Sequence, residues 1–311
     1  MKYLTASEMR VFQRCKRRWW LNSYRKLVRI NDTNWNKPLG IGNRVHEALA
    51  VYYTPDDPTD PRKHLLTKLQ HDLESNPEEQ HNDIRAEHEL SSIMIDGYMD
   101  WLAETGEDQA ITVIEAERAR MARLEPDRDV MLLSKLDARV QHDIYGDRLS
   151  LEHKSVSSLS QHLPELRLNQ QVLTEHLVEY MALIEEGKDP TPARGVLFNM
   201  LRKVKRTARA KPPFYSRIHV HHTLSEIRNH WYHVVSIADQ IEEVTRRLNE
   251  GESHQLVVPP SPMSDCSWSC PWFRECPMFD NESDDVESSL RDRFEIGDDL
   301  QRYEGLLVTL P

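Results

Sequence analysis

Four cysteines set the strongest constraint on how this chain folds. Cys266, Cys270 and Cys276 lie within eleven residues, and Cys15 stands alone near the other end. A cytosolic chain rarely needs disulfides, so thiolates grouped at this spacing point to metal or cluster ligation. A zinc ribbon would bring two Cys-x2-Cys pairs. Here there is one close group, so the fourth thiolate is Cys15, about 250 residues away. Trp268, Trp272 and Phe273 read as a shield around the ligands. A [4Fe–4S] cluster, a zinc clasp and ordinary buried thiols all remain open. A shared group would tie the two ends of the chain together.

Composition narrows the class. Apolar residues make up 39% and charged residues 29% of the 311, which is the balance of a globular chain with a charge-rich surface. No apolar run approaches the roughly 18 residues of a membrane span. The opening Met1-Lys2-Tyr3-Leu4-Thr5 lacks the apolar core of a signal peptide, so a cytoplasmic protein is expected. The net charge of −11 is unevenly spread. Residues 280–311 carry ten acids against three bases and read as an acidic, partly disordered tail. Residues 1–30 hold nine Lys or Arg against Glu8 alone. Arg202, Lys203, Lys205, Arg206, Arg209 and Lys211 form a basic stretch without an acid, a candidate DNA-binding segment. Phe214 and Tyr215 beside it are candidates for stacking on bases.

The periodicity predicts helices over 6–26 and 42–53, a proline-broken loop over 54–62, and polar helices over 63–105. Strand formers then dominate Ile111–Leu124, Val130–Ile144 and Leu149–Val156, with a hairpin turn at Tyr145-Gly146-Asp147. A helix over about 166–186 and a strand over 195–201 follow. Thr223-Leu224-Ser225-Glu226 is a capping box opening a helix to Gly251. The order helix, three strands, helix, strand is an α/β core with helical additions.

Within that core, Asp137 falls in one expected strand, and Glu152 and Lys154 in the next. Residues i and i+2 of a strand share a face, so Glu152 and Lys154 project together. Asp137 sits within reach on the paired strand. Carboxylates are ligands for Mg²⁺ or Mn²⁺. The cation activates water and stabilises charge on a phosphorane, and the lysine orients the nucleophile. Taken alone, the same residues also read as a solvated ion pair on a strand edge. His46, placed one turn into its helix, and Gln170 or Gln171 on the following helix are candidate additions.

Taken jointly, these pieces resemble the RecB-like nucleases of the PD-(D/E)xK superfamily. The resemblance is strongest to the iron–sulfur branch that includes the CRISPR-associated Cas-four exonucleases and the AddB nuclease domain. It runs from Leu4-Thr5-Ala6-Ser7 and Cys15–Trp20, through Gly42–His46, Asp137, Glu152-x-Lys154 and Gln171, to the three-cysteine group. It implies a restriction-endonuclease-like core: a mixed sheet flanked by helices, with a helical insertion. It implies a divalent metal held by His46, Asp137, Glu152 and the backbone carbonyl of His153, with Lys154 as the catalytic lysine. It also implies a [4Fe–4S] cluster on Cys15, Cys266, Cys270 and Cys276. Two positions depart from the pattern. Ser134 stands where members often carry glycine, and Glu175 stands where a Gln-x3-Tyr motif would place tyrosine after Gln171.

The expectation is therefore one nuclease domain over 1–279. Its parts are a helical region 1–105, a catalytic core 106–201, the basic segment and a helix over 202–251, and a cysteine region 252–279. The tail over 280–311 follows. The expected activity is exonucleolytic hydrolysis of single-stranded DNA or DNA ends. The expected partners are DNA and a helicase, recombinase or other nucleic-acid-processing protein, with no membrane. The alternatives are an endonuclease, a CRISPR-adaptation trimming nuclease, or a non-catalytic DNA-binding partner.

Overall fold

A computed structural model describes residues 2–30, 37–160, 166–281, 283–297 and 303. Their contacts divide them into two compact units, each built from discontinuous segments. The first draws on 1–33, 123–133 and 228–305, and the second on 34–122 and 134–227.

The second unit is organised by a five-stranded sheet. In spatial order its strands are Ile111–Ala116, Ala138–His142, Arg148–Val156, Ala193–Arg202 and Tyr215–His221. The third and fourth are parallel and the other neighbours antiparallel. The sheet is therefore mixed, as expected. The hairpin turns at Gly146, whose φ of 69° lies where glycine carries no steric cost.

Period-two alternation sorts the strand residues between two apolar layers. Leu151, Leu197 and Leu201 pack with Val45, Leu49, Tyr98 and Leu102 from the helices Lys37–Tyr52 and His81–Thr105. Val196, Phe198 and Met200 pack on the opposite face with Val172 from the helix Gln170–Glu185. Burying each such side chain contributes about 1.5–3 kcal/mol. The Glu152–Phe198 register puts Glu152 and Lys154 on the Gln170–Glu185 side of the sheet. The helix read over 166–186 thus runs Gln170–Glu185, capped by the Asn169 side chain on the amides of Gln171 and Val172. The capping box is present: the Glu226 amide donates to Thr223 Oγ1, and the Thr223 amide donates to Glu226 Oε2.

In the first unit, Lys2–Thr5 pairs in parallel with Val130–Leu133. The helix expected over 6–26 is broken. Ala6–Arg14 ends at Cys15, which is extended, and Lys16–Trp19 follows and runs into a wider π-helical turn at Trp20–Tyr24. No glycine or proline marks that break in the sequence.

The acidic stretch expected to be a solvated tail is instead packed through residue 297. Phe294–Ile296 pairs antiparallel with Leu27–Arg29. Phe294 stacks on Trp272 with ring centroids 4.0 Å apart. Arg25 holds Glu287 through two nitrogens at 2.7 and 2.9 Å. The fully buried Glu275 accepts from Ser289 at 3.1 Å and pairs with Arg293. Two acids of the run, Asp280 and Glu287, are here partners of Arg17 and Arg25 in the basic N-terminal segment, while Asp284, Asp285, Asp292 and Glu295 stay exposed. The remainder, Glu282, 298–302 and 304–311, lies outside the described residues.

Truncation after Met278 is therefore expected to destabilise the protein. It removes buried Phe279, Leu290 and Phe294, each worth about 1.5–3 kcal/mol. A thermal melt checks this, and an unchanged midpoint would return the stretch to a solvated tail. Among the described residues, no helix is long and apolar enough to cross a membrane.

Candidate active site

The site is built where two strand junctions meet the Lys37–Tyr52 helix. Asp137 lies not inside a strand but in the bend between Val130–Lys135 and Ala138–His142. The Ala138–Leu151 register brings that bend level with Glu152 on the neighbouring strand. The His153 amide donates to Asp137 Oδ2 at 2.8 Å. Its imidazole turns to the other face, where it meets Asn199 at 3.2 Å and stacks on Tyr53. His46 Nδ1 lies 3.2 Å from Asp137 Oδ1. It comes from the middle of its helix, because the helix begins at Lys37 and not near Gly42. Lys154 Nζ donates to Glu152 Oε2 at 3.0 Å.

These groups perturb one another strongly. Burial pushes the Glu152 carboxyl up, and neighbouring Asp137 pushes it further, against the opposing pull of Lys154. Burial also acts against the charge of Asp137, but His46 and the His153 amide outweigh it and hold that carboxyl well below its usual range. The same balance raises His46: burial opposes its charge, and Asp137 overcomes that opposition. Burial likewise opposes the Lys154 ammonium, yet Glu152, Glu175 and Asp137 hold its proton firmly. Burial pushes the His153 ring down to about 3, against the opposing pull of Asp137.

Glu175 joins this group. It is 1% exposed, and burial and then Glu152 push its carboxyl well above the normal range. Gln171 donates its side-chain amide to Glu175 Oε1 at 2.9 Å. The structure thus brings Gln171 beside the site, with one amide hydrogen committed to the residue that departs from the Gln-x3-Tyr motif. Gln170 opens the helix, its carbonyl accepting from Thr174.

A cavity of about 780 Å³ opens at this point, lined in part by Asn43, His46, Glu117, Lys135, Asp137 and Lys154. Of the basic stretch, only Lys203 lines it. The others are placed differently. Arg202 donates to the Lys211 carbonyl, and Lys205 pairs with Glu89 at 2.6 Å. Arg206 lies 3.7 Å over the Phe214 ring and donates to the Tyr215 hydroxyl. Tyr215 is buried and bonds the Met94 carbonyl, so it is not a free stacking platform. Arg209 and Lys211 are exposed.

Among the lining residues that escaped the sequence reading are Glu117 and Lys135. Glu117 sits at φ +54°, a region that side chains other than glycine rarely adopt. Its amide donates to the Asp137 carbonyl at 2.9 Å, and its carboxylate pairs with Lys135. Strained backbone at a site edge is a functional pointer, but nothing in the local sequence marks it. Lys203→Ala and Lys135→Ala are each expected to weaken oligonucleotide binding and flatten its salt dependence by about 0.7 for a single-strand phosphate contact. Lys205→Ala should change neither. Fluorescence anisotropy against salt, without divalent cation, checks both expectations.

The sequence model of the PD-(D/E)XK nuclease superfamily matches residues 3–277. The chain belongs to this superfamily. No curated protein matches it. Superfamily members hydrolyse nucleic acid with divalent metals, and the donor set here suits a hard cation: two carboxylates and an imidazole at a polar cavity. The negative charge that Asp137 retains beside Glu152 is the property that would draw in such an ion. As they stand, the side chains close on one another. Among the described residues, no three His, Cys, Asp or Glu groups converge in metal-holding geometry.

The four cysteines of this superfamily member are free thiols that line one cavity of about 240 Å³ in the first unit. The extended backbone at Cys15 breaks the helix there. Burial raises the Cys270 thiol, with Cys15 and Cys266 adding to it. Burial also raises Cys276, against the pull of Arg17. Of the aromatics expected to shield the thiols, only Trp272 is buried. Trp268 is 80% exposed and Phe273 is 51% exposed. A residue four positions from Trp272 in so irregular a segment faces wherever the loop sends it, which no periodicity foretells.

Proposed function

We propose that this chain is a divalent-cation-dependent DNA nuclease of the RecB-like iron–sulfur branch, acting as an exonuclease on single strands or DNA ends. The observation that carries the reading is the convergence of His46, Asp137 and Lys154 from three separate elements at one cavity, with the buried Glu152 bonded to Lys154 behind it. His46, Asp137, Glu152 and the His153 carbonyl are the proposed ligands of Mg²⁺ or Mn²⁺. Bound there, the cation would supply an acidified water and a Lewis acid toward the scissile phosphate. Lys154 keeps its charge beside Glu152 and serves to orient the attacking water or to offset phosphate charge. Gln171 is the proposed positioning group on the next helix.

In the other unit, Cys15, Cys266, Cys270 and Cys276 are the proposed ligands of a [4Fe–4S] cluster. Their lining of one cavity supports this, as does a neighbouring buried cation with unused donors.

The test is digestion of end-labelled DNA, linear and circular, single- and double-stranded, with each divalent cation. Label should be lost from linear single strands first, circles should survive, and a chelator should stop the reaction. Circles cut as fast as linear DNA would make the enzyme an endonuclease. No cleavage with any cation would leave a DNA-binding partner that keeps only the fold.

A further inference from the structure

The cysteine cavity is walled by a buried guanidinium whose donors the fold does not all meet. Arg17 stands two residues after Cys15 and is 1% exposed. Its Nη1 donates to Asp280 Oδ1 at 2.7 Å and to the Cys276 carbonyl at 3.3 Å. Its Nε and Nη2 are buried with no acceptor among the described residues. The Phe279 ring lies 5.8 Å from the guanidinium and offers only a weak cation–π contact.

A buried donor left unmade costs the desolvation of that group, and more when the group is charged. Arginine cannot relieve the cost by losing its proton. Either the site wastes that energy or an anion meets the two donors. Arg17 lines the same cavity as all four thiols, and a cluster held by four thiolates is net negative.

We propose that Arg17 is a positioning residue for that cluster. Its Nε and Nη2 donate to the cluster's sulfur atoms, and Asp280 sets how much of the positive charge they meet. The proposal rests on the iron–sulfur reading above and adds the residue that tunes it. Hydrogen bonds to sulfur and nearby charge are levers on cluster potential and persistence. Reduction adds an electron to a group already negative, so a cation beside it favours the reduced form.

The experiment uses anaerobically purified full-length protein. Iron content, charge-transfer absorbance, a redox titration and the rate of bleaching in air are measured on the wild type, three single variants and one double variant. Arg17→Met keeps the length and loses the charge. Its potential should fall, and its cluster should be lost about 10–100-fold faster. Arg17→Lys keeps the charge without the planar fork and should lie between. Asp280→Asn frees Arg17 from its carboxylate and should move the potential the opposite way. Asp280 itself lines the cavity, so the deciding reading is Asp280→Asn in the Arg17→Met background, where the upward shift should shrink if Arg17 carries it.

If Arg17→Met does not fold, the other two single variants carry the test. Wild-type potential and lifetime in both would overturn the proposal, as would a shift of Asp280→Asn in the same direction as Arg17→Lys. Brown protein with an indifferent Arg17→Met overturns the role of Arg17 alone. Colourless wild-type protein overturns the iron–sulfur reading and this proposal with it.

Discussion

Asp137→Ala, Glu152→Ala and Lys154→Ala are each expected to lower the rate of DNA cleavage by about 10³-fold or more. The magnitude follows from the several kcal/mol that a positioned cation contributes to a phosphoryl transition state, with each 1.36 kcal/mol worth tenfold. Asp137 and Glu152 are proposed ligands. Lys154 is the ammonium that three carboxyl groups hold charged. His46→Ala should cost less, because it removes one neutral donor and leaves both carboxylates. Lys154→Ala should still bind DNA, since Lys135 and Lys203 remain in the cavity. Single-turnover cleavage and anisotropy together separate chemistry from binding. A Glu152→Ala enzyme that cut at the wild-type rate would sink the site, whatever the cluster variants show.

The same crowding gives Glu175 a distinct expectation. Glu175→Ala opens a hole beneath Lys154 and releases Gln171, so activity should fall although Glu175 lies too deep to meet substrate. Glu175→Gln keeps the volume and an acceptor for Gln171 and should retain much of the rate.

The second large effect concerns the thiols. Cys15→Ser and Cys270→Ser should damage thermal stability equally, although they stand 255 positions apart in sequence. A group bound by both closes one loop of about 250 residues, for which the closure entropy is about 5 kcal/mol. Losing either ligand is expected to release the whole group, and with it the same loop. The full loss will not appear in the melting temperature, because other contacts join the same segments. Arg25 pairs with Glu287, Trp20 stacks on His254, and Leu27–Arg29 pairs with Phe294–Ile296. A fall of about 10 °C in both variants, with loss of brown colour in both, is the expected result. A Cys15→Ser protein that kept its cluster and its melting point would show that the two ends are not joined through it. Nuclease activity should fall with stability, and restoring conditions that stabilise the fold should restore much of it.

What the sequence by itself determined was whatever depends on short-range periodicity. Glu152 and Lys154 share a face because a strand alternates every residue, and the hairpin at Gly146 brings Asp137 to them. Thr223 and Glu226 cap a helix because three residues of spacing suffice. The grouping of Cys266, Cys270 and Cys276 was visible for the same reason. What only the tertiary structure decided was whatever depends on which surfaces meet. Glu175 is an unremarkable helical acid until the Val172 layer buries it against the Glu152 strand. Arg17 is one of many N-terminal bases until packing removes its water and leaves two donors without partners. The acids from residue 280 read as a disordered tail because charge runs usually are; among the described residues Asp280 and Glu287 instead pair with Arg17 and Arg25 and the apolar Leu290 and Phe294 pack, while Asp284, Asp285, Asp292 and Glu295 stay exposed. Side-chain burial and pairing between segments hundreds of residues apart carry no local period, so no pass along the chain could have assigned them.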